Sequence, residues 1–259
     1  MGPVIWWRNR FAKVEIPGAG EAIGDALRVN KHLTELDLSH NECGPTAGDS
    51  FAEALRYNHT LTRLDLGANV LTAPGAKNLA FVLGLKNGLV TLNLAQNILG
   101  SKTGMVLLRA IRTMPVLTDL DISRNEFGNT VGMSLMEAMQ DNQTLISLVS
   151  QENKFGAGVT YLLGHMLEKN DSLTSLDLAD NDLGIAEENE DVEGEASPGK
   201  ALGHGLSVNR QLVSLDISGN KFPASELSPI MGAMDSNFSI IRIKADNQRF
   251  DDVSTLQLA

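Results

Sequence analysis

A nine-residue pattern recurs along most of the chain and restricts what it can fold into. Each copy has a large apolar residue at its first and fourth places and asparagine at its ninth, and all but the fifth copy have another apolar residue at the sixth. The copies begin at Leu33, Leu61, Leu89, Leu117, Leu145, Leu173 and Leu212. The first six starts are 28 residues apart, and the seventh follows after 39. A fixed period of this size predicts a row of stacked, equivalent units rather than one large core.

The spacing within each copy predicts one strand and one helix per unit. Apolar residues two apart point to one face of a strand, and the residues beside them point to the other face. The second half of each unit carries apolar residues at helical spacing, as at Phe51, Ala54 and Leu55. We expect the asparagines at the helix ends to adopt the left-handed conformation. These are Asn30, Asn58, Asn142, Asn170 and Asn209.

The predicted fold class is α/β, with parallel strands in one layer and helices in the other. Neighbouring strands stack about 4.8 Å apart, whereas neighbouring helices need about 10 Å. Because the helical layer is the wider one, the stack is expected to curve into a horseshoe with a concave sheet and convex helices.

The motif L-x-x-L-x-L-x-x-N in a 28-residue helical unit resembles the leucine-rich repeats of the ribonuclease-inhibitor-like subfamily. The resemblance extends from Gly20 to about Gln248. It implies a repeat solenoid, and most members of the family are non-enzymatic protein-binding scaffolds. One branch, the Ran GTPase-activating proteins, uses an arginine and a neighbouring asparagine at a strand exit, and Arg124 beside Asn125 would be the counterpart. A scaffold is therefore the first prediction, and a GTPase activator is the alternative.

The asparagine at the ninth place of each copy is predicted to be architectural. A turn leaves the core there with backbone groups unpaired, and an amide side chain offers both donors and an acceptor. Loss of one asparagine should cost roughly 1–3 kcal/mol for each buried group left unsatisfied. The column is Asn41, Asn69, Asn97, Asn125, Asn153, Asn181 and Asn220.

The outward strand positions are rich in acids and are the predicted partner-binding site. That site consists of Glu35, Asp37, Asp65, Asp119, Asp121, Asp177 and Asp216. We expect a protein partner with a basic surface, because a net charge of −11 and a pI near 4.9 disfavour nucleic acid and anionic membranes. An architectural role for part of this column stays open, because leucine-aspartate-leucine is also a habit of the repeat.

The remaining composition predicts no catalytic residue, metal or cofactor. The five histidines lack metal-ligand spacing. The one cysteine, Cys43, stands where other units have leucine or phenylalanine, so we expect a buried hydrophobe rather than a nucleophile. Because no disulfide-bonded cap is available, a reducing, cytoplasmic location is predicted. No signal peptide or membrane span is expected.

Two segments do not follow the period. Residues 1–19 are predicted to be an N-terminal capping segment, so that the repeat domain, 20–259, begins with a helix. Trp6, Trp7 and Phe11 would cover the first turn or form a partner patch. Residues 185–198 form an acidic insertion, predicted to be a mobile spacer or a docking loop for a basic partner.

The last and fifth copies carry further expectations. A period of 28 places Ile240, Ile243 and Gln248 in the last unit, although a frame starting at Phe238 is the alternative. The chain stops partway into that unit, so further repeats or a partner are expected to cover the C-terminal end. In the fifth copy Val149 and Ser150 replace the usual residues, and we expect a looser strand there.

Overall fold

A computed structural model describes residues 4–6, 18–44, 46–85, 88–184 and 197–248. The chain divides into two compact units, Met1–Glu126 and Phe127–Ala259. Each unit alternates parallel strands with helices, which confirms the predicted α/β repeat solenoid.

The first unit holds five strands and four helices within the described residues. The strands are β1 (Val4–Trp6), β2 (Glu35–Asp37), β3 (Arg63–Asp65), β4 (Thr91–Asn93) and β5 (Asp119–Asp121). The helices are α1 (Ala19–Val29), α2 (Ala47–Tyr57), α3 (Ala73–Leu83) and α4 (Gly100–Ile111). The strands pair in chain order and in parallel, and from β2 to β5 each residue lies opposite the one 28 places later.

The second unit has the same plan. Its strands are β6 (Ser147–Val149), β7 (Ser175–Asp177), β8 (Ser214–Asp216) and β9 (Arg242–Lys244). Its helices are α5 (Asn129–Asp141), α6 (Ala157–Lys169), α7 (Pro198–Val208) and α8 (Ala224–Gly232), followed by a short 3₁₀ helix, Ala233–Asp235. The pairing is again parallel, and the register steps over the insertion by opposing Leu176 to Leu215.

The strand alternation separates core from surface as predicted. In β3, Leu64 is buried while Arg63 and Asp65 on either side are exposed or half-buried. Leu66, two residues after Leu64, is completely buried beneath the sheet. The same order in the other strands places the acids of each unit on the sheet surface that faces away from the helices.

The ninth-place asparagines form a buried ladder, which confirms their architectural role. The side-chain nitrogen of Asn97 donates to the carbonyl oxygens of Leu66, Leu94 and Ala95 at 3.0, 3.0 and 3.1 Å. Its side-chain oxygen accepts from the backbone nitrogens of Asn69 (3.2 Å) and Leu71 (2.9 Å). One side chain thus joins two successive turns.

The predicted left-handed conformation at the helix ends is wrong. Asn58 is extended, with φ −88° and ψ 116°, and Asn30, Asn142, Asn170 and Asn209 are extended as well. Asparagine is needed there for its side chain. The side-chain oxygen of Asn58 accepts from the backbone nitrogen of Leu61 at 3.1 Å, and its side-chain nitrogen donates to the Leu27 carbonyl at 2.9 Å. Left-handed residues instead flank the buried ladder, as Ala68 (φ 53°) and Val70 (φ 56°) flank Asn69.

The beginning of the chain differs from the expectation of a first helix. Val4–Trp6 pairs with β2 and places Ile5 opposite Leu36. This offset is 31 residues rather than 28, so a search at the fixed period misses the strand. Residues 1–3 and 7–17 of the predicted cap, which include Trp7 and Phe11, lie outside the described residues, and its last residue, Ala19, begins α1.

The predicted acidic insertion also lies outside the described residues, apart from its last two. Ser197 and Pro198 belong to the start of α7, where the Ser197 hydroxyl oxygen accepts from the backbone nitrogen of Lys200 at 3.4 Å.

The last copy follows the period of 28, and the fifth is more regular than expected. Ile243 lies opposite Leu215, and the side-chain oxygen of Gln248 accepts from the Phe222 backbone nitrogen at 3.0 Å, as the ladder asparagines do. The looser strand predicted for the fifth copy is wrong on its β7 side. There β6 keeps the common register, and the buried Ser150 donates its backbone N–H to the Asp177 carbonyl at 2.8 Å.

Candidate partner-binding face

The outward residues of β2 to β5 form an acidic surface, which we call the first strand face. Its members are Glu35, Asp37, Arg63, Asp65, Thr91, Asn93, Asp119 and Asp121. Five carboxylates share this surface with one guanidinium. The structure therefore brings together five of the seven residues that the sequence predicts as a site.

The sheet register arranges this surface as two columns. The column nearer the strand exits is Asp37, Asp65, Asn93 and Asp121, and the other is Glu35, Arg63, Thr91 and Asp119. Arg63 Nε lies 3.8 Å from Glu35 Oε2. Among the described residues, Asp37, Asp65 and Asp121 have no ion pair. The strand-exit column therefore keeps its negative charge.

Each aspartate of this column also holds the turn that follows its strand. Oδ1 of Asp65 accepts from the backbone nitrogen of Gly67 at 2.8 Å, and Asp37 and Asp121 accept in the same way from the residues two places on. Asn93 does the same with its amide oxygen, which accepts from Ala95 N at 2.8 Å. The turn therefore requires one acceptor oxygen and does not require a negative charge.

Asp65 occupies the centre of the column, and its pKa reports the local field. Burial raises the pKa of Asp65 above its usual value, and the hydrogen bond from Gly67 N–H lowers it again. The charges of Asp37 and Asp121 raise the pKa, whereas the Asn93 amide, which donates to Asp65 Oδ2 at 3.0 Å, lowers it. The net result is a raised pKa, because the carboxylate is partly buried among like charges.

A concavity of about 310 Å³ lies on this face across β2, β3 and β4. It is lined by Glu35, Leu36, Asp37, Arg63, Leu64, Asp65, Thr91 and Asn93. A recess of this size bordered by carboxylates can accept a projecting ammonium or guanidinium group.

The other two predicted site residues lie in a different electrostatic setting. The outward residues of β6 to β9 form the second strand face, which consists of Ser147, Val149, Ser175, Asp177, Ser214, Asp216, Arg242 and Lys244. Two acids are balanced there by two bases. Lys244 Nζ lies 2.8 Å from Asp216 Oδ2. Burial alone would raise the pKa of Asp216, but the hydrogen bonds from Lys244 and Ser218 outweigh it and lower the pKa.

Of the two residues predicted for the activator alternative, Asn125 serves the fold. Asn125 is buried, and its side-chain nitrogen donates to the carbonyls of Leu94, Ile122 and Ser123 at 2.9, 3.1 and 3.0 Å. Arg124 is exposed in a left-handed turn (φ 55°). The amide of Asn125 therefore holds the turn, and the activator alternative depends on Arg124 alone.

The described residues offer no competing chemical site. Burial raises the pKa of the half-buried Cys43 thiol to about 11, so the thiol stays protonated at neutral pH. Within the described ranges, no three or more His, Cys, Asp or Glu side chains are grouped to hold a metal ion. No helix in the same ranges is long and apolar enough to cross a bilayer.

Parallel strands, outer helices and a buried asparagine ladder, repeated every 28 residues, define an α/β leucine-rich repeat fold. Four stretches of the sequence match the family described as Leucine Rich repeat: residues 29–52, 57–80, 113–136 and 169–184. The chain is a leucine-rich repeat protein, and its units have the ribonuclease-inhibitor-like form. No curated protein sequence matches it.

Solved structures that share this fold include the following two. One is titled leiomodin-1 actin-binding site 2; it has a TM-score of 0.50 and 22% identity, covering 60% of this chain and 90% of its own. The other is the tropomodulin C-terminal domain from Caenorhabditis elegans, with a TM-score of 0.50 and 20% identity, covering 59% of this chain and 93% of its own. At these identities the likeness concerns the fold alone.

Proposed function

We propose that this protein is a non-enzymatic interaction module whose first strand face binds a basic surface on a protein partner. The observation that carries the proposal is the set of five carboxylates around one guanidinium on that face. Four of those carboxylates, Asp37, Asp65, Asp119 and Asp121, have no ion pair among the described residues. Complementary charge across an interface speeds association and selects partners of opposite charge.

The charge on this face is not explained by the needs of the fold. Asn93 satisfies its turn with a neutral amide at the same position where its neighbours use aspartate. Burial raises the pKa of Asp65, and the charges of Asp37 and Asp121 raise it further, so the charged form of this column costs stability. A feature that the turn does not need, and that costs stability, is best accounted for by a partner that neutralises it.

Actin is the first defined partner to assay, because the leiomodin-1 fragment of similar fold is named for an actin-binding site. The sequence has one cysteine, so the chain closes no internal disulfide, which supports the reducing, cytoplasmic location expected from the sequence.

The test compares two variants that change the net charge equally. The face variant carries Asp37→Asn, Asp65→Asn and Asp121→Asn, so each turn keeps its acceptor. The helix-side control variant carries Glu137→Gln, Asp141→Asn and Asp171→Asn, three exposed residues of the second unit. Wild type, both variants and bare resin are used for affinity capture from the source cell, with quantitative mass spectrometry.

We expect one or more proteins that the wild type and the control variant retain and the face variant loses. Capture by the face variant at wild-type levels would move the site elsewhere. Equal loss from both variants would mean that overall charge, and not this face, governs binding.

A further inference from the structure

One helix of the first unit departs from its neighbours on the side away from the sheet. The position of Phe81 in α3 is occupied by Glu53 in α2 and by Arg109 in α4. Phe81 is nevertheless 57% exposed, and Leu85, one turn further on, is 60% exposed. An aromatic and an aliphatic side chain thus stand together in solvent; the adjacent units carry charge at the Phe81 position and have Tyr57 and Thr113 at the Leu85 position. Apolar patches with a polar border mark interaction sites.

A second departure opens a groove beside this pair. The position of Gly84 is held by Arg56 one unit earlier and by Arg112 one unit later. Without a side chain at Gly84, an open groove of about 530 Å³ runs between α3 and α4. Its lining is Lys77, Asn78, Ala80, Phe81, Gly84, Leu85, Val106, Arg109, Ala110 and Thr113. Small residues form its floor and larger apolar residues form its walls.

The charged residues that line the groove, Lys77 and Arg109, are both basic. No Asp or Glu occurs between Asp65 and Asp119. The described cations on this stretch are exposed, and none has an ion pair among the described residues; they are Lys77, Lys102, Arg109 and Arg112. The groove therefore has an apolar interior and a cationic border.

Two acids of α2, Asp49 and Glu53, stand in the unit before this border. Oδ1 of Asp49 accepts from the Asn78 side-chain nitrogen at 2.7 Å. Glu53 Oε2 lies 3.5 Å from Arg56 Nε. Glu53 is thus balanced within α2, whereas Asp49 has a neutral partner, Asn78, and leaves one carboxylate beside the basic border.

We propose that the groove between α3 and α4 is a docking site for an acidic, amphipathic helical segment of a partner protein. Apolar side chains spaced by one helical turn would pack against Phe81 and Leu85, and carboxylates beside them would meet Lys77 and Arg109. Helices bind apolar grooves in this way, and aromatic residues and arginine are the side chains that most often anchor interfaces.

This occupant differs from the partner proposed for the first strand face, because the charges of the two surfaces are opposite. The strand face of a second copy would supply carboxylates, but its outward residues include no large apolar side chain to fill the groove. Charge together with apolar complementarity therefore favours an acidic amphipathic segment over a second copy.

The test selects a phage-displayed library of random 16-residue peptides on the full chain, and then measures enriched peptides by fluorescence anisotropy. We expect enrichment of peptides that combine Asp or Glu with Leu, Phe or Trp. Phe81→Ser with Leu85→Ser should weaken their binding about tenfold or more, and so should Lys77→Glu with Arg109→Glu. Phe238→Ser, at a side chain of the second unit that is 86% exposed, is the matched control and should leave binding unchanged.

The proposal is overturned if no peptide is enriched, if enriched peptides are basic, or if the control weakens binding as much as the groove variants. Sedimentation velocity gives another contrary outcome: self-association that Phe81→Ser abolishes would make a second copy the occupant. The face variant should bind the peptides like wild type, so this result is independent of the proposed function of the strand face.

Discussion

The two strand faces share one frame and differ in charge. The first has five carboxylates and one guanidinium, and the second has two of each sign. Both use an acceptor oxygen at the strand exit to hold the turn, as Asp121 does for Ser123 and Asp177 does for Ala179. Both faces therefore share the same hydrogen-bonded turns. The electrostatic field above each face depends on the outward side chains that these turns do not require.

This comparison separates two roles that one aspartate can combine. Its first oxygen serves the turn in either unit. The second oxygen of Asp216 meets Lys244, whereas that of Asp65 meets the neutral amide of Asn93. If these residues only hold the fold, equivalent substitutions should have equal effects on stability in the two units. If the first strand face binds a partner, substitutions there should affect binding and those on the second strand face should not.

The largest effect is expected from the asparagine ladder, and it should be the same in both units. Asn97→Ala and Asn181→Ala each remove a side chain that bonds five backbone groups. We expect each to lower the free energy of unfolding by roughly 3 kcal/mol or more, measured by chemical denaturation. Asn78→Ala, at an exposed helix position, should cost less than about 0.5 kcal/mol. A large loss in one unit and a negligible loss in the other would contradict a common frame.

A smaller effect is expected at the strand-exit turns. Asp121→Ala removes the acceptor for Ser123 N and should cost about 1 kcal/mol in the free energy of unfolding. Asn93→Ala should cost a similar amount, because its amide oxygen serves Ala95 N. Asp121→Asn keeps the acceptor and should stay within about 0.5 kcal/mol of wild type. If Asp121→Asn is as unstable as Asp121→Ala, the charge itself holds the turn.

The ion pair of the second strand face should give a modest, pH-dependent effect. The pKa of Asp216 is lowered in the folded protein, so its charge adds stability above the ordinary value of 3.8, and that stability is lost as the pH falls through the folded pKa. Lys244→Gln should therefore lower the unfolding midpoint in urea slightly at neutral pH, and the difference from wild type should shrink as the pH is lowered through the folded pKa of Asp216. A difference that stays the same as the pH is lowered would rule out the ion pair as its cause.

On the first strand face, the charge of Asp65 should lower stability, whereas the charge of Asp216 on the second strand face raises it. The pKa of Asp65 is raised, so its charged form costs stability above that pKa, and the cost disappears as the pH falls toward 3.8. Asp37→Asn removes a like charge from the opposing strand position and should lower the pKa of Asp65, measured by carboxyl-carbon NMR titration. Asp25→Asn, on the outer side of α1, is the control. An Asp65 pKa that stays unchanged in Asp37→Asn would mean that the charge of Asp37 does not contribute to it.

The 28-residue period correctly predicts the features that all units share. Strand register, buried leucines and the asparagine ladder follow from positions 28 residues apart, and even Gln248 is placed correctly as the last rung. The period fails where one unit is offset, as at Val4–Trp6. The period also suggests a wrong reason for the presence of Asn58 at a helix end. The recurrence of asparagine at that position does not reveal whether its backbone conformation or its side chain is required.

The candidate site was only partly predictable because function lies in departures from the repeat. The sequence places Asp177 and Asp216 with the acids of the first unit, since all occupy one column. Their neutral setting depends on Lys244, one strand further on. The groove beside Phe81 has a readable signal as well: aromatic residue and glycine at two positions where the adjacent helices carry charge. Comparison of each unit with its neighbours would reveal it.

The most direct test of the central claim is the association rate constant of the partner captured through the first strand face. It is measured by surface plasmon resonance at about 50 and about 300 mM salt, for wild type, the face variant and the helix-side control variant. We expect the wild type and the control to associate fast and to slow steeply with salt, and the face variant to associate more slowly with little salt dependence. A face variant that keeps the wild-type rate and the wild-type salt dependence would contradict the claim that these carboxylates are a binding surface.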